Sequence, residues 1–199
     1  MALNVVSGAR RAFIVCAALA LSAGQALAQA APQVRFSTSA GDFVVEVYPD
    51  KAPKTVENFL QYVKDKHYDG IIFHRVISGF MIQAGGYDAK YQERRTRPPI
   101  SHEGREALEK GGPRNVVGTV AMARTNDPHS ASAQFFINVA DNTRLDPTAQ
   151  AFGYTTFGKV ISGMDVVNKI KAMPTGPGGP FPTDAPATQV IINSATLVK

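Results

Sequence analysis

The sequence predicts a mainly β fold, a closed antiparallel barrel capped by two helices, for the part of the chain that follows residue 30. Many short β-rich runs are separated by turn residues, whereas only two stretches carry the apolar stripe of a helix. The chain has 199 residues, enough for one domain, and it shows no internal repeat and no linker. Closing the strands into a barrel removes the exposed edges that such a sheet otherwise leaves.

The predicted strands begin with a hairpin. Val34, Phe36 and Thr38 alternate with polar residues, residues 39–42 supply a turn, and residues 43–48 form a second β-rich run. Further strands are predicted at residues 71–77, 80–83, 116–123, 135–139, 156–161 and 190–198. Residues 86–115 are polar and are interpreted as a long surface excursion, a kind of loop that is usually functional in a small domain. The proline-rich residues 174–186 are interpreted as a second loop.

Both predicted helices are identified by the spacing of their apolar residues. The first begins at Pro53, since proline suits the first turn of a helix. Its stripe has positions i, i+3, i+4 and i+7, occupied by Val56, Phe59, Leu60 and Val63. The second covers residues 164–173, with one apolar face formed by Met164, Val167 and Ile170.

Residues 1–30 have the pattern of a cleaved export signal. Arg10 and Arg11 form a basic start, residues 12–23 are apolar, and small residues place the cleavage after Ala28 or Ala30. The apolar run is shorter than the about 20 residues of a spanning helix, so no stable membrane anchor is expected. The paired arginines also loosely resemble a twin-arginine signal, but general export is favoured. The predicted location is the periplasm, and the predicted domain is residues 31–199.

Charge and cysteine content exclude several classes of function. Residues 1–30 contribute two of the 21 basic residues and none of the 16 acidic ones, so residues 31–199 carry 19 against 16, a net charge of +3. The only cysteine is Cys16, so residues 31–199 form no disulfide and perform no thiol chemistry. Arg94, Arg95 and Arg97 raise the alternative of nucleic-acid binding. Basic and acidic residues alternate nearby, however, and a solvated loop is favoured.

Common catalytic patterns are not found in the sequence. The four histidines, His67, His74, His102 and His129, lack the i+2 or i+4 spacing of a zinc site. There is no G-x-S-x-G turn and no phosphate-binding loop. No metal and no cofactor are therefore expected.

Two stretches of the sequence stand out from the other predicted strands. The first is FHRVISGFMIQ, residues 73–83, and the second runs from MAR at residues 122–124 to QFF at residues 134–136. An arginine within an apolar strand is costly unless its charged end reaches water or a partner. In the structural interpretation, Arg75 snorkels or forms a salt bridge, and His74 is a satisfied core histidine. In the alternative interpretation, Arg75 has a functional role.

These stretches resemble the signature of the cyclophilins, F-H-R-x-I-x-G-F-M-x-Q followed by M-A and Q-F-F. The FGKV of residues 157–160 is similar to a later family motif, and the motifs occur in the family's order. The resemblance runs from about Val34 to the last strand and is strongest to bacterial periplasmic members. It implies an eight-stranded barrel capped by two helices and peptidyl-prolyl cis/trans isomerase activity.

The resemblance also implies a set of site residues. The implied catalytic residues are Arg75, Phe80, Gln83 and Phe136. The implied substrate-binding residues are Met81, Ala123, Arg124, Gln134, Leu145 and Tyr154. Arg144 and Tyr154 stand where many eukaryotic members have tryptophan and histidine, so weak inhibition by cyclosporin is expected.

The expected partners are proline-containing, unfolded or flexible polypeptides, bound by a monomer without nucleic acid. The alternative function is a non-catalytic peptide-binding chaperone on the same fold. The combination of Arg75, Phe80 and Phe136 favours the enzyme, because a donor beside an apolar pocket suits isomerisation.

Overall fold

A computed structural model describes residues 30–198, together with Met1. The predicted export signal therefore lies almost entirely outside the described residues. Within these described residues there are ten strands: β1 (Gln33–Thr38), β2 (Gly41–Val47), β3 (Arg75–Ile77), β4 (Met81–Ala84), β5 (Thr119–Met122), β6 (Phe135–Asn138), β7 (Thr156–Ser162), β8 (Thr175–Gly178), β9 (Phe181–Pro186) and β10 (Ile192–Leu197). The helices are α1 (Pro53–Lys64), α2 (Gly104–Glu109), α3 (Met164–Lys171) and a 3-10 turn, Thr143–Leu145.

Eight of these strands form one curled antiparallel sheet in the order β10-β1-β2-β7-β5-β6-β4-β3. The expected mainly β architecture is therefore confirmed, but the expected closed barrel is not, because the sheet is a half-barrel. Its end strands, β10 and β3, do not pair with each other. Just before β3 and at the start of β10, residues 70–73 and 190–192 are joined by a bridge between Ile72 and Ile191 and by a few backbone hydrogen bonds. Strand β3 is only three residues long and packs beside β9, so it offers β10 no continuous edge for pairing.

The apolar residues that alternate along β1, as predicted, pack one side of the sheet against the helices. Val34 and Phe36 are buried, and the Phe36 ring stacks on Phe43 of β2 with centroids 5.0 Å apart. From α1, Phe59 reaches the same core and lies 5.0 Å from Phe157. Burying these large rings removes apolar area from water and so stabilises the fold.

Two regions predicted to be loops contain regular structure, so the prediction of only two helices was wrong. Helix α2 lies within the supposed excursion of residues 86–115, and its single buried apolar side chain, Ala107, gives no recognisable stripe in the sequence. The proline-rich residues 174–186 form the antiparallel hairpin β8–β9. Its prolines are tolerated because the two strands form a separate ribbon outside the main sheet.

The start of α1 is held by a carboxylate from a distant part of the chain. Glu103 is buried, and its side chain accepts hydrogen bonds from the backbone N–H of Lys54 (3.1 Å) and Thr55 (2.7 Å) and from the Thr55 hydroxyl (2.8 Å). Free N–H groups at a helix start need such acceptors, and the helix dipole favours negative charge there. This contact joins the supposed excursion to the core.

We predict that Glu103→Ala lowers the free energy of unfolding by about 2–4 kcal/mol, because three donors lose a charged acceptor in a buried place. Urea denaturation measures the effect. The matched control is Glu106→Ala, an exposed glutamate in the first turn of α2, for which we expect a change within about 0.5 kcal/mol. Equal small losses in both variants would contradict the capping role.

Candidate active site

Four strands align the central residues of the site in one row. Arg75 of β3 pairs with Gln83 of β4, Gln83 with Phe136 of β6, and Phe136 with Ala121 of β5. Directly paired residues lie on the same face of a sheet, so these four side chains share the face opposite the main core. The register thus brings Arg75 and Gln83 together with Phe136, which is distant from both in the sequence.

An apolar pocket lies next to this row. Met81, Ala121 and Phe136 form a small hydrophobic cluster that is separate from the main core. Partly buried Phe80 and Leu145 pack against it. The cavity has a volume of about 200 Å³ and is lined by Arg75, Phe80, Met81, Gln83, Ala123, Arg124, Phe136, Leu145 and Tyr154. Nine of the ten residues named from the sequence therefore line one cavity.

The tenth residue, Gln134, lies just beyond. Its side-chain oxygen accepts a hydrogen bond of 2.8 Å from the Gln83 amide. A second cavity of about 290 Å³ adjoins the first here, and Gln83, Ala123 and Arg124 line both. The groove therefore continues from the apolar pocket into a polar extension.

Two arginines pack on aromatic rings at the rim of the pocket. The guanidinium carbon of Arg124 lies 4.7 Å from the centre of the Tyr154 ring, and Tyr154 in turn packs edge-on against Phe136. The guanidinium of Arg144 lies 5.0 Å from the centre of the Phe80 ring. Such cation–π contacts are favourable and keep the charges at the edge of the apolar space.

Arg75 projects from β3 with about two-fifths of its side chain exposed (41%). Within residues 30–198, its only side-chain hydrogen bond runs from Nε to Asp184 Oδ2 of β9, at 3.4 Å. The guanidinium is thus not committed to a buried ion pair, which argues against a purely structural role for Arg75. Its terminal N–H groups remain able to donate into the cavity.

A buried amide network supports the pocket from behind, and sequence reasoning missed it. Asn142 donates to the Phe80 carbonyl and to Asn138 Oδ1, both at 2.8 Å, and Asn138 donates to Asn115 Oδ1 at 3.2 Å. Asn115 donates from its backbone and side chain to Asp146, which Arg114 also contacts at 2.6 Å. Asparagines in loops and at the end of a strand have no periodic signal, so only the fold reveals this network.

The histidine of the FHR motif is buried behind Arg75. His74 is 2% exposed, stacks 5.2 Å from Phe181 and lies 4.9 Å from Tyr87. Burial lowers the pKa of His74 from 6.5 to about 4, and the neighbouring Arg75 charge acts in the same direction. His74 is therefore neutral at pH 7. It is buried, as a core histidine is expected to be, but within residues 30–198 its Nδ1 has no hydrogen-bond partner, so it is not fully satisfied.

Two arginines of the basic run at residues 94–97 form contacts within the molecule. Arg94 donates to the carbonyls of His67 and Asp69, and Arg97 pairs with Asp65. In residues 30–198 no helix is long and apolar enough to cross a bilayer. The same residues hold no group of three or more side chains suited to a metal ion.

Comparison with known proteins agrees with this geometry. Residues 33–197 match the model of the family described as cyclophilin type peptidyl-prolyl cis-trans isomerase. The chain belongs to this family.

Relatives from several bacteria share nearly half of the sequence. The chain is 48% identical to peptidyl-prolyl cis-trans isomerase B of Escherichia coli over 82% of this chain and 98% of the relative. It is 51% identical to an isomerase of Streptomyces antibioticus over 83% and 98%, and 44% identical to isomerase A of Dickeya dadantii over 83% and 84%. The protein is therefore a peptidyl-prolyl cis-trans isomerase, and no observation favours the alternative of a non-catalytic chaperone.

Solved structures show the same fold. A cyclophilin type isomerase of Cryptosporidium parvum is 25% identical and superposes with a TM-score of 0.65, covering 85% of this chain and 98% of that one. A second structure of that protein, obtained in the presence of the dipeptide Ala-Pro, has a TM-score of 0.64 and covers 84% and 99%.

We predict that stability falls as the pH is lowered, in part through His74. Because the folded-state pKa is about 4 and the ordinary value is 6.5, the unfolded chain binds the extra proton first. The stability is fully present above pH 6.5 and is lost as the pH falls from there through about 4, at a cost on the order of 3 kcal/mol.

The measurement is the free energy of unfolding at pH 7, 6, 5 and 4 for the unmodified protein and for His74→Gln. We expect a shallower pH dependence in the variant. Some slope remains, since burial also lowers the pKa of His67 and of His102. Identical pH slopes in the two proteins would show that His74 is not buried in its neutral form.

Proposed function

We propose that this isomerase accelerates rotation about X-Pro bonds in polypeptides that fold outside the cytoplasm, in the periplasm. The observation that carries the assignment of the site is the position of Arg75 at the edge of a pocket formed by Met81 and Phe136. The export signal predicted from residues 1–30 supports the location. The Ala-Pro dipeptide used with the Cryptosporidium protein supports the class of ligand.

The reaction needs no covalent chemistry. Amide resonance opposes rotation with a barrier of about 18–20 kcal/mol, and uncatalysed isomerisation takes about 10–100 s. In the twisted state the proline nitrogen loses conjugation and regains a lone pair that can accept a hydrogen bond. A donor directed at this nitrogen therefore binds the transition state better than either planar form, which is the requirement for catalysis.

Arg75 is the proposed donor. Its guanidinium is charged at every relevant pH and presents N–H groups in a fixed plane. The side chain rises from β3 at the edge of the cavity, with Gln83 as its cross-strand neighbour. A proline ring seated on Phe136 would then carry its nitrogen towards Arg75.

The remaining residues are proposed to hold the substrate still on one side of the rotating bond. Phe80, Met81, Phe136 and Leu145 provide apolar contact for the ring. Gln83, with Ala123, Arg124, Gln134 and Tyr154, lies where the flanking peptide would run along the groove. Fixing one side while the carbonyl side rotates lowers the entropic part of the barrier.

We predict that Arg75→Ala lowers kcat/KM about a hundred- to thousandfold, the usual effect of losing one transition-state donor. Arg75→Lys should recover little, because an ammonium is shorter and directs its protons differently. The affinity for an X-Pro peptide should fall much less, because the apolar pocket remains. The measurements are the isomerisation rate of a short X-Pro peptide, its dissociation constant and the melting temperature.

The matched control is Arg35→Ala, an exposed arginine on β1 at the other end of the sheet, which should keep full activity. Near-normal turnover in Arg75→Ala would refute the donor role. A collapse of its melting temperature would instead favour a structural role.

A further prediction concerns export. The mature protein should begin at Gln29 or Ala31, as determined by N-terminal sequencing of material from the periplasm. Replacing Arg10 and Arg11 by lysine together should leave export intact, because general export requires only positive charge at this position. An intact Met1 in the exported protein would contradict cleavage, and a block by the double lysine variant would favour the twin-arginine route.

A further inference from the structure

We propose that Asp184 is a positioning residue that orients the Arg75 guanidinium for catalysis. The inference rests on the proposed donor role of Arg75. Asp184 belongs to the hairpin β8–β9, which is separate from the sheet that carries the pocket, and it does not line the cavity. Its action on the substrate would therefore pass through Arg75.

The contact engages the inner nitrogen of the guanidinium. Asp184 Oδ2 lies 3.4 Å from Arg75 Nε, and no other side chain among residues 30–198 forms a hydrogen bond with Arg75. An acceptor at Nε fixes the plane of the guanidinium and leaves both terminal nitrogens available to donate elsewhere. That is the arrangement a donor to a twisted amide nitrogen needs.

The hairpin that carries Asp184 is firmly seated next to β3. Phe181 stacks on His74, the residue before Arg75, and packs edge-on against Tyr87. At the hairpin turn, Gly179 lies so close to Tyr91 that no Cβ would fit. Ala185, which follows Asp184, is also buried. The carboxylate is thus held between fixed neighbours on both sides.

The backbone at Asp184 is in a conformation that most residues avoid. Its φ is +66°, in the left-handed region, where the register of β8 and β9 is irregular. Aspartate and asparagine tolerate this region better than most other side chains. Such a conformation persists only where the surrounding structure imposes it, and it is enriched at functional sites.

Stability does not account for the pair. The side chains of Arg75 and Asp184 are 41% and 32% exposed, and ion pairs this open to water add little to folding. A role in orienting Arg75 does not need a strong bond, because small misplacements of a catalytic group reduce rates sharply.

The test compares Asp184→Asn and Asp184→Gly with the unmodified enzyme, alone and combined with Arg75→Ala. Asparagine keeps the shape and the tolerance for positive φ but removes the charge, whereas glycine removes the side chain without backbone strain. We expect kcat to fall about tenfold in both, with KM and melting temperature nearly unchanged. The control is Asp65→Asn, which removes the charge from the exposed Asp65–Arg97 pair and should leave kcat unchanged.

Two further readouts separate positioning from a structural effect. In the Arg75→Ala background, the Asp184 substitutions should cause no additional loss, because their target is gone. At about 1 M salt the Debye length falls to about 3 Å, so the difference between the unmodified enzyme and Asp184→Asn should shrink. Full kcat in both Asp184 variants, or an equal loss with and without Arg75, would overturn the proposal. If Arg75→Ala itself retained activity, the donor role would fail first, and the role of Asp184 would fail with it.

Discussion

Strand β6 contributes side chains to two apolar regions at once, the main core and the pocket, and the rest of the structure depends on this constraint. Phe135 and Phe136 are consecutive, so the pleat directs their rings to opposite faces of the sheet. Phe135 packs against Phe36 and Phe59 in the main core, whereas Phe136 forms the floor of the pocket. Because the strand is buried on both faces, the site has the rigidity of a core while remaining open to a peptide.

The amide network behind the pocket extends the same rigidity to the loops. Asn142 ties the carbonyl of Phe80 to Asn138 of β6, so the segment before β4 and the 3-10 turn that carries Leu145 move with the sheet. Buried amides are costly when unpaired and strong when linked in a chain. The pocket is therefore pre-formed, which reduces the ordering that substrate binding requires.

The β8–β9 hairpin covers the open side of the half-barrel. A three-residue strand at the end of a sheet would expose unpaired backbone groups and leave its arginine unsupported. The hairpin covers this side through Phe181 and brings Asp184 to Arg75. The same small ribbon thus covers a sheet edge and contacts the side chain that we propose as the catalytic donor.

Local pattern in the sequence was sufficient for the β-rich class and the α1 stripe, and the motif resemblance was sufficient to name residues that the structure places in or beside one cavity. The alternation around Phe36 and the spacing around Phe59 reflect burial directly, and the FHR and QFF motifs identified the family and the pocket. Only the tertiary structure decided the other features of the fold and the site. The half-barrel, helix α2, the hairpin with Asp184 and the network through Asn142 all depend on contacts between residues that are distant in the chain. Such contacts leave no periodicity in the sequence, since they depend on which segments meet and not on how each segment is patterned.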